Sequence, residues 1–121
     1  MGKYIPLKVS APFHSELMIA SSKIFQKKTT NIKFKKAEFD TISNHQLKNY
    51  KEIPETEYID QLSLQIHSPV MWSDTMKKII ETGVGSFLEI GPKKTLLNLI
   101  SKDFNGERIS ITDSESIKNY V

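Results

Sequence analysis

The stretch Val9–Met18, VSAPFHSELM, places a histidine directly behind Pro-Phe, between an extended run and a helix. Upstream, Tyr4–Val9 (YIPLKV) is rich in strand formers but carries Pro6, which suits a strand edge or an extended entry. Downstream, Leu17, Ile19, Ala20, Ile24 and Phe25 recur at roughly helical spacing and lysines close the last turn. This pattern predicts a helix over 15–28 with Ser15 as its cap. In α/β proteins the loop leaving a strand for a helix is where functional groups gather. His14 is therefore placed to move a proton, and the remaining residues must show what it would move it to or from.

Beyond this joint, the apolar points Phe34, Phe39 and Ile42 support one strand over 40–43, followed by a polar linker. Tyr58, Ile59, Leu62 and Ile66 share one face of a helix expected over 56–66. Pro69 opens a second helix through about Thr82, with Trp72, Met76, Ile79 and Ile80 as its buried stripe and Gly83 as its stop. Met71, like Trp72 and Met76, reads as packing rather than as a cofactor contact. Ser86–Gly91 (SFLEIG) is a short apolar run between glycines, as in a buried strand. Pro92 starts a further helix that turns Leu96, Leu97, Leu99 and Ile100 inward, Arg108–Thr112 (RISIT) is the next strand, and Asp113 caps a terminal helix, SESIKNYV. The alternation of strands and helices predicts an α/β layer structure with parallel strands. So few strands make an incomplete sheet with open edges, which ordinarily need a partner.

The chain has 121 residues, 38% of them hydrophobic and 26% charged, which suits one domain or part of a larger one and argues against wholesale disorder. It contains no cysteine, so disulfide frameworks, zinc thiolates and thiol nucleophiles are all excluded. No apolar run approaches the roughly 20 residues of a membrane helix. The amino terminus has no apolar stretch of signal-peptide length, so a soluble, cytoplasmic protein is expected. The formal charge of +3 comes from dispersed pairs such as Lys27-Lys28, Lys35-Lys36, Lys77-Lys78 and Lys93-Lys94. They read first as solvated surface and second as attraction for an anionic cofactor or an acidic protein. No basic patch interleaved with aromatics marks a nucleic-acid interface.

For nucleophilic catalysis His14 needs a hydroxyl or thiol, and the chain is short of one. GVGSF puts Ser86 after Gly85 but lacks the following glycine, and the serine enters a strand instead of a sharp turn. Ser10, Ser15, Ser43 and Ser68 have no supporting context. His45 and His67 match no metal-ligand spacing and read as structural, so no metal site is expected. EIGPKKTL, Glu89–Leu96, could offer main-chain N–H groups to a phosphate or thioester, although a plain strand-to-helix connection is the simpler reading.

Four stretches, LKVSAPFHSELM, TISN, QIHSPVMW and GVGSFLEIGPKKTLLNLI, in this order and separation, resemble the carboxy-terminal part of malonyl-CoA:acyl carrier protein transacylases and of polyketide synthase acyltransferase domains. The resemblance spans nearly the whole chain, residues 1–121, read as the carboxy-terminal portion of one acyltransferase domain. It implies a partial α/β-hydrolase-like core from which the family's ferredoxin-like subdomain is absent. It also implies transfer of an acyl group from coenzyme A to a serine, and from there to the phosphopantetheine thiol of an acyl carrier protein. Malonyl-CoA would be the substrate, with no covalently bound cofactor.

By the same resemblance, His14 takes the catalytic histidine position, as base toward the serine and acid toward the departing thiolate. Gln65 supplies, through its main chain, the carbonyl that replaces a triad carboxylate, so a side-chain change there is expected to be mild. Phe13 stands where malonyl-selective members carry a bulky residue, and Thr95 where the chain approaches the acyl or pantetheine arm. Lys93 replaces a glycine of the usual GPGK turn, which weakens the expectation for Thr95. The family's GQGSQ segment, its GHSxG serine and its malonyl-binding arginine have no counterpart here. A complementary amino-terminal portion carrying the serine is thus the expected partner, and the isolated chain is expected to be inactive. The competing reading is a non-catalytic carrier-protein docking module using Lys77, Lys78, Lys93 and Lys94. A self-sufficient hydrolase using Ser86 is the remaining possibility.

Overall fold

The computed structural model describes residue 6 and residues 8–118 of the chain. Most of the extended run expected over 4–9, and the last residues of the terminal helix, lie outside them. The chain divides into two units between Trp72 and Ser73.

In the first unit a 3-10 turn, Glu16–Met18, leads into α1, Ile19–Thr29, and a second 3-10 turn, Glu55–Glu57, leads into α2, Tyr58–His67. The helix expected over 15–28 is present, but Ser15 does not cap it. Its hydroxyl donates instead to the Pro12 carbonyl at 2.6 Å, which ties down the loop before the helix. α1 and α2 pack through small polar residues. The buried Ser22 donates its Oγ–H to the Ser63 carbonyl at 2.6 Å, and Gln26 donates to Asp60 Oδ1 at 2.7 Å. The apolar residues that predicted α1 mostly face outward: Leu17 is 79% exposed and Ile24 57%. On α2 the buried positions are Tyr58, Gln61 and Ser63, while Ile59, Leu62 and Ile66 are half-buried.

The segment between the helices is organised by aromatic rings and one amide. Tyr58 meets Tyr50 edge-on at 5.0 Å and Phe34 at 5.7 Å. The strand expected over 40–43 is reduced to a single antiparallel bridge, Ile42 to Asn49. The buried Asn49 takes over the ladder's role: its Oδ1 accepts from the amides of Thr41 and Lys51, and its Nδ2 donates to Asp40 Oδ1 at 2.7 Å.

α3, Trp72–Glu81, starts at the junction, three residues after Pro69. Its expected stripe of Trp72, Met76, Ile79 and Ile80 is only half-buried, and Thr75 is its buried residue. Gly83, at φ 82°, ends the helix as predicted, with its amide donating to the Ile80 carbonyl at 2.9 Å. β1, Ser86–Ile90, and β2, Glu107–Ile111, pair in parallel with Leu88 opposite Ile109 and Ile90 opposite Ile111. This matches the expected parallel α/β pattern, in a sheet of two strands among the described residues.

β1 is not the buried strand its composition suggests. It alternates, with Leu88 51% and Ile90 74% exposed, so that face of the sheet is open. The other face is covered: Phe87 packs edge-on against Phe104 at 4.8 Å, and Arg108 lies over the Phe104 ring. The helix expected after Pro92 is a single 3-10 turn, Leu97–Leu99, in which Leu97 and the following Ile100 are buried but Leu96 and Leu99 are exposed. α4, Ser114–Lys118, has the predicted cap, because Asp113 Oδ1 accepts from the amides of Glu115 and Ser116.

Candidate active site

The site begins at a helix end. The last carbonyls of an α-helix have no intrahelical donors and need partners from elsewhere. For Gln65 the residue four positions on is Pro69, which has no N–H. Pro69 also restricts the residue before it, and Ser68 is extended, at φ −116° and ψ 148°, so α2 stops with the carbonyls of Gln65 and Ile66 open.

His14 fills both positions. Its backbone N–H donates to the Ile66 carbonyl at 3.1 Å, and its ring Nδ1 lies 2.8 Å from the Gln65 carbonyl oxygen, across 51 positions of sequence. To bring main chain and ring onto neighbouring carbonyls, His14 adopts φ 60°, in the left-handed region that residues other than glycine seldom occupy. Such a conformation costs on the order of 1–3 kcal/mol and persists only where the surroundings determine it, which two hydrogen bonds to one helix end do.

This geometry settles the proton's place on the neutral ring. A carbonyl oxygen only accepts, so Nδ1 carries the hydrogen and Nε2 carries the lone pair. Nε2 has no hydrogen-bond partner among the described residues, and His14 is exposed. The arrangement holds a proton acceptor toward solvent on a fixed ring. The carbonyl end of α2 also favours positive charge, so an imidazolium formed there meets a complementary dipole without a carboxylate.

The structure thus brings His14 and Gln65 together, with Phe13 beside His14 and 54% exposed. Phe13 is held in the same turn by its amide, which donates to the Ala11 carbonyl at 2.8 Å. Thr95 is an exposed residue of the second unit. At the end of EIGPKKTL the Leu96 amide is taken, donating to Glu89 Oε1 at 3.1 Å, and the following Leu97 amide donates to Glu89 Oε2 at 2.9 Å. Ser86 opens β1 and stands on no sharp turn. His67 Nδ1 lies 3.2 Å from the Ser63 carbonyl, one turn back along its own helix.

Sequence reasoning missed two contributors. Pro69 was read as a helix start, whereas it also leaves the Gln65 carbonyl without an internal donor; its spacing of four from Gln65 is a signal present in the sequence. Tyr50 carried no signal. It is buried, and its hydroxyl accepts a hydrogen bond from Gln65 Nε2 at 3.0 Å.

No protein-family model matches the chain. Individual proteins do. The malonyl CoA-acyl carrier protein transacylase of Bacillus subtilis (strain 168) is 35% identical over 115 residues, covering 94% of this chain and 36% of its own length. That of Staphylococcus aureus (strain COL) is 32% identical over 121 residues, covering 98% of this chain and 38% of its own. Among solved structures, a malonyl-transacylase in complex with its type II polyketide synthase acyl-carrier protein superposes with a TM-score of 0.83 at 30% identity, over 95% of this chain and 37% of that one. The chain spans little more than a third of the length of these relatives. Over nearly all of its residues it is therefore similar, in sequence and in its mixed α/β acyltransferase fold, to one region of the malonyl CoA-acyl carrier protein transacylases.

Proposed function

We propose that this chain is the histidine-bearing portion of a malonyl-CoA:acyl carrier protein transacylase, within an α/β-hydrolase-like core completed by sequence that carries the nucleophilic serine. The observation that carries the reading is the 2.8 Å contact between His14 Nδ1 and the Gln65 carbonyl, which leaves the Nε2 lone pair facing outward. Similarity to named transacylases supplies the reaction class.

In this mechanism Nε2 removes the serine proton as its oxygen attacks the malonyl thioester carbonyl. The carbon–sulfur bond then breaks, and the coenzyme A thiolate leaves with the proton from the imidazolium. In the second half, Nε2 takes the proton of the phosphopantetheine thiol, whose sulfur attacks the acyl-serine ester, and the imidazolium returns a proton to the serine oxygen. The Gln65 carbonyl holds the ring's tautomer throughout. Phe13 borders the acyl group and disfavours a branch at its second carbon, a discrimination of about 1–3 kcal/mol. Thr95 lies along the pantetheine arm. The partners are an acyl carrier protein and the serine-bearing remainder, malonyl-CoA is substrate and not resident cofactor, and the compartment is the cytoplasm.

The test is a graft in which this chain replaces the matching region of the Bacillus subtilis transacylase. The graft is expected to transfer malonyl from coenzyme A to a holo carrier protein. His14→Ala should lower that transfer on the order of a thousandfold or more, as loss of a general base does when a covalent route depends on it. Equal rates for the graft and its His14→Ala variant would overturn the reading.

A further inference from the structure

Gln65 has two ends, and only its carbonyl has so far been given a part. Its side-chain amide donates to the Tyr50 hydroxyl at 3.0 Å. Tyr50 itself is held at every handle. Its backbone N–H donates to the Thr41 carbonyl at 2.8 Å, its own carbonyl accepts from the Tyr58 hydroxyl at 2.5 Å, and its ring meets the Tyr58 ring edge-on. Tyr58 is fixed in turn by the Phe34 ring and by the Ala37 amide, which donates to its hydroxyl at 3.1 Å. A continuous set of contacts therefore runs from the 34–37 segment through Tyr58 and Tyr50 to the residue whose carbonyl faces His14.

We propose that Tyr50 is a positioning residue for His14: by anchoring the Gln65 side chain it holds the last turn of α2 so that the Gln65 carbonyl selects the Nδ1–H tautomer. The reasoning is geometric. A helix terminus is where backbone bonds fray and carbonyls reorient, and Pro69 leaves this one without internal closure. Gln65 is half-buried and its side-chain amide is tethered to Tyr50, so the tether limits how far the carbonyl can swing from the ring. Burial also pushes the Tyr50 hydroxyl above its ordinary 10.0, against the opposing pull of the Gln65 bond, so the phenol stays neutral and the bond keeps its character wherever a histidine titrates. The proposal refines the role given to His14 above and rests on that reading for its functional meaning. Its physical content, the tautomer, can be read without any turnover.

The experiment is long-range proton–nitrogen NMR of the imidazoles in the full chain at a pH where His14 is neutral, with His45→Gln and His67→Gln used to assign the three histidines. Tyr50→Phe keeps the ring and its edge contact with Tyr58 and removes only the hydroxyl; Gln65→Met keeps length and main chain and removes only the donor. Each is expected to lower the ratio of Nδ1–H to Nε2–H tautomer at His14 by about threefold, the scale of one net hydrogen bond. The double variant is expected to fall no further than either single, because both changes remove the same bond. An unchanged ratio in a folded Tyr50→Phe chain, or losses that multiply in the double variant, would overturn the proposal. Should Tyr50→Phe fail to fold, the Gln65→Met ratio decides alone, a fall supporting the proposal and no change overturning it. Failure of malonyl transfer in the graft would leave this tautomer result standing, so the two readings fail separately.

Discussion

Both units solve the same backbone problem, a helical segment with unsatisfied polar groups at one end, in opposite ways. At the carboxy end of α2 the open carbonyls of Gln65 and Ile66 are met by a histidine brought in from 51 positions away, and the remaining ring nitrogen of His14 faces out. At the amino end of the 3-10 turn Leu97–Leu99 the open amides of Leu96 and Leu97 are met by Glu89 from the neighbouring strand, each carboxylate oxygen taking one. The first closure leaves a reactive group over. The second pairs both amides with a neighbouring carboxylate and leaves neither of those two open to a ligand.

The contrast can be strained where it is stiffest. In the second unit β2 enters at Gly106, where an added Cβ would collide with the Gly85 carbonyl oxygen and the Phe104 ring. Backbone cannot yield there, because Gly85 already accepts the Glu107 amide at 3.0 Å. Gly106→Ala is expected to cost about 3 kcal/mol, read as a lower denaturant midpoint. A cost near zero would mean the strand pair is not closed at this point.

A smaller effect is expected from Glu89→Ala, which strips both acceptors from the Leu96 and Leu97 amides. The cost should be about 1–2 kcal/mol, with faster hydrogen exchange at those two amides. If Glu89→Ala leaves their protection unchanged, the turn is not self-satisfied and the distinction between the two helix ends is lost.

The smallest effect concerns α4. Hydrogen bonds from Ser116, its backbone amide first, hold the Asp113 carboxyl below its ordinary value of 3.8. A depressed carboxylate stabilises the fold above its unfolded value, and that contribution disappears as pH falls through the folded one. Amide shifts of Glu115 and Ser116 should therefore stay helical down to pH 3.8 and fray only below it. Fraying that begins well above pH 3.8 would show that the cap is not carried by the carboxylate.

Much of this was legible in the sequence, and the limits follow from the forces involved. α1, α2, α3 and the parallel pair β1–β2 appear near their expected positions because apolar spacing, Gly83 and the glycine-bounded run are local signals. The burial expected of them is only partly present among the described residues. Leu17, Ile24, Leu88 and Ile90 have the pattern of core residues yet are exposed. The strand expected over 40–43 failed because the side chain of Asn49 replaced a ladder with four hydrogen bonds of its own. The helix after Pro92 shortened to one turn, with the Leu96 and Leu97 amides at its start taken by Glu89. At the site, His14 was legible from its loop between an extended run and a helix, but its pairing with Gln65 only through resemblance, since nothing local joins positions 51 apart. The positive φ of His14 and the Tyr50 anchor depend on tertiary contacts that no spacing encodes.

The most direct test of the central claim is a through-hydrogen-bond coupling measurement between the His14 Nδ1 and the Gln65 carbonyl carbon in the isotope-labelled chain. The account predicts a resolved coupling between these two nuclei, with Nδ1 protonated and Nε2 bare on the neutral ring. A neutral His14 protonated at Nε2, with no coupling to Gln65, would contradict it.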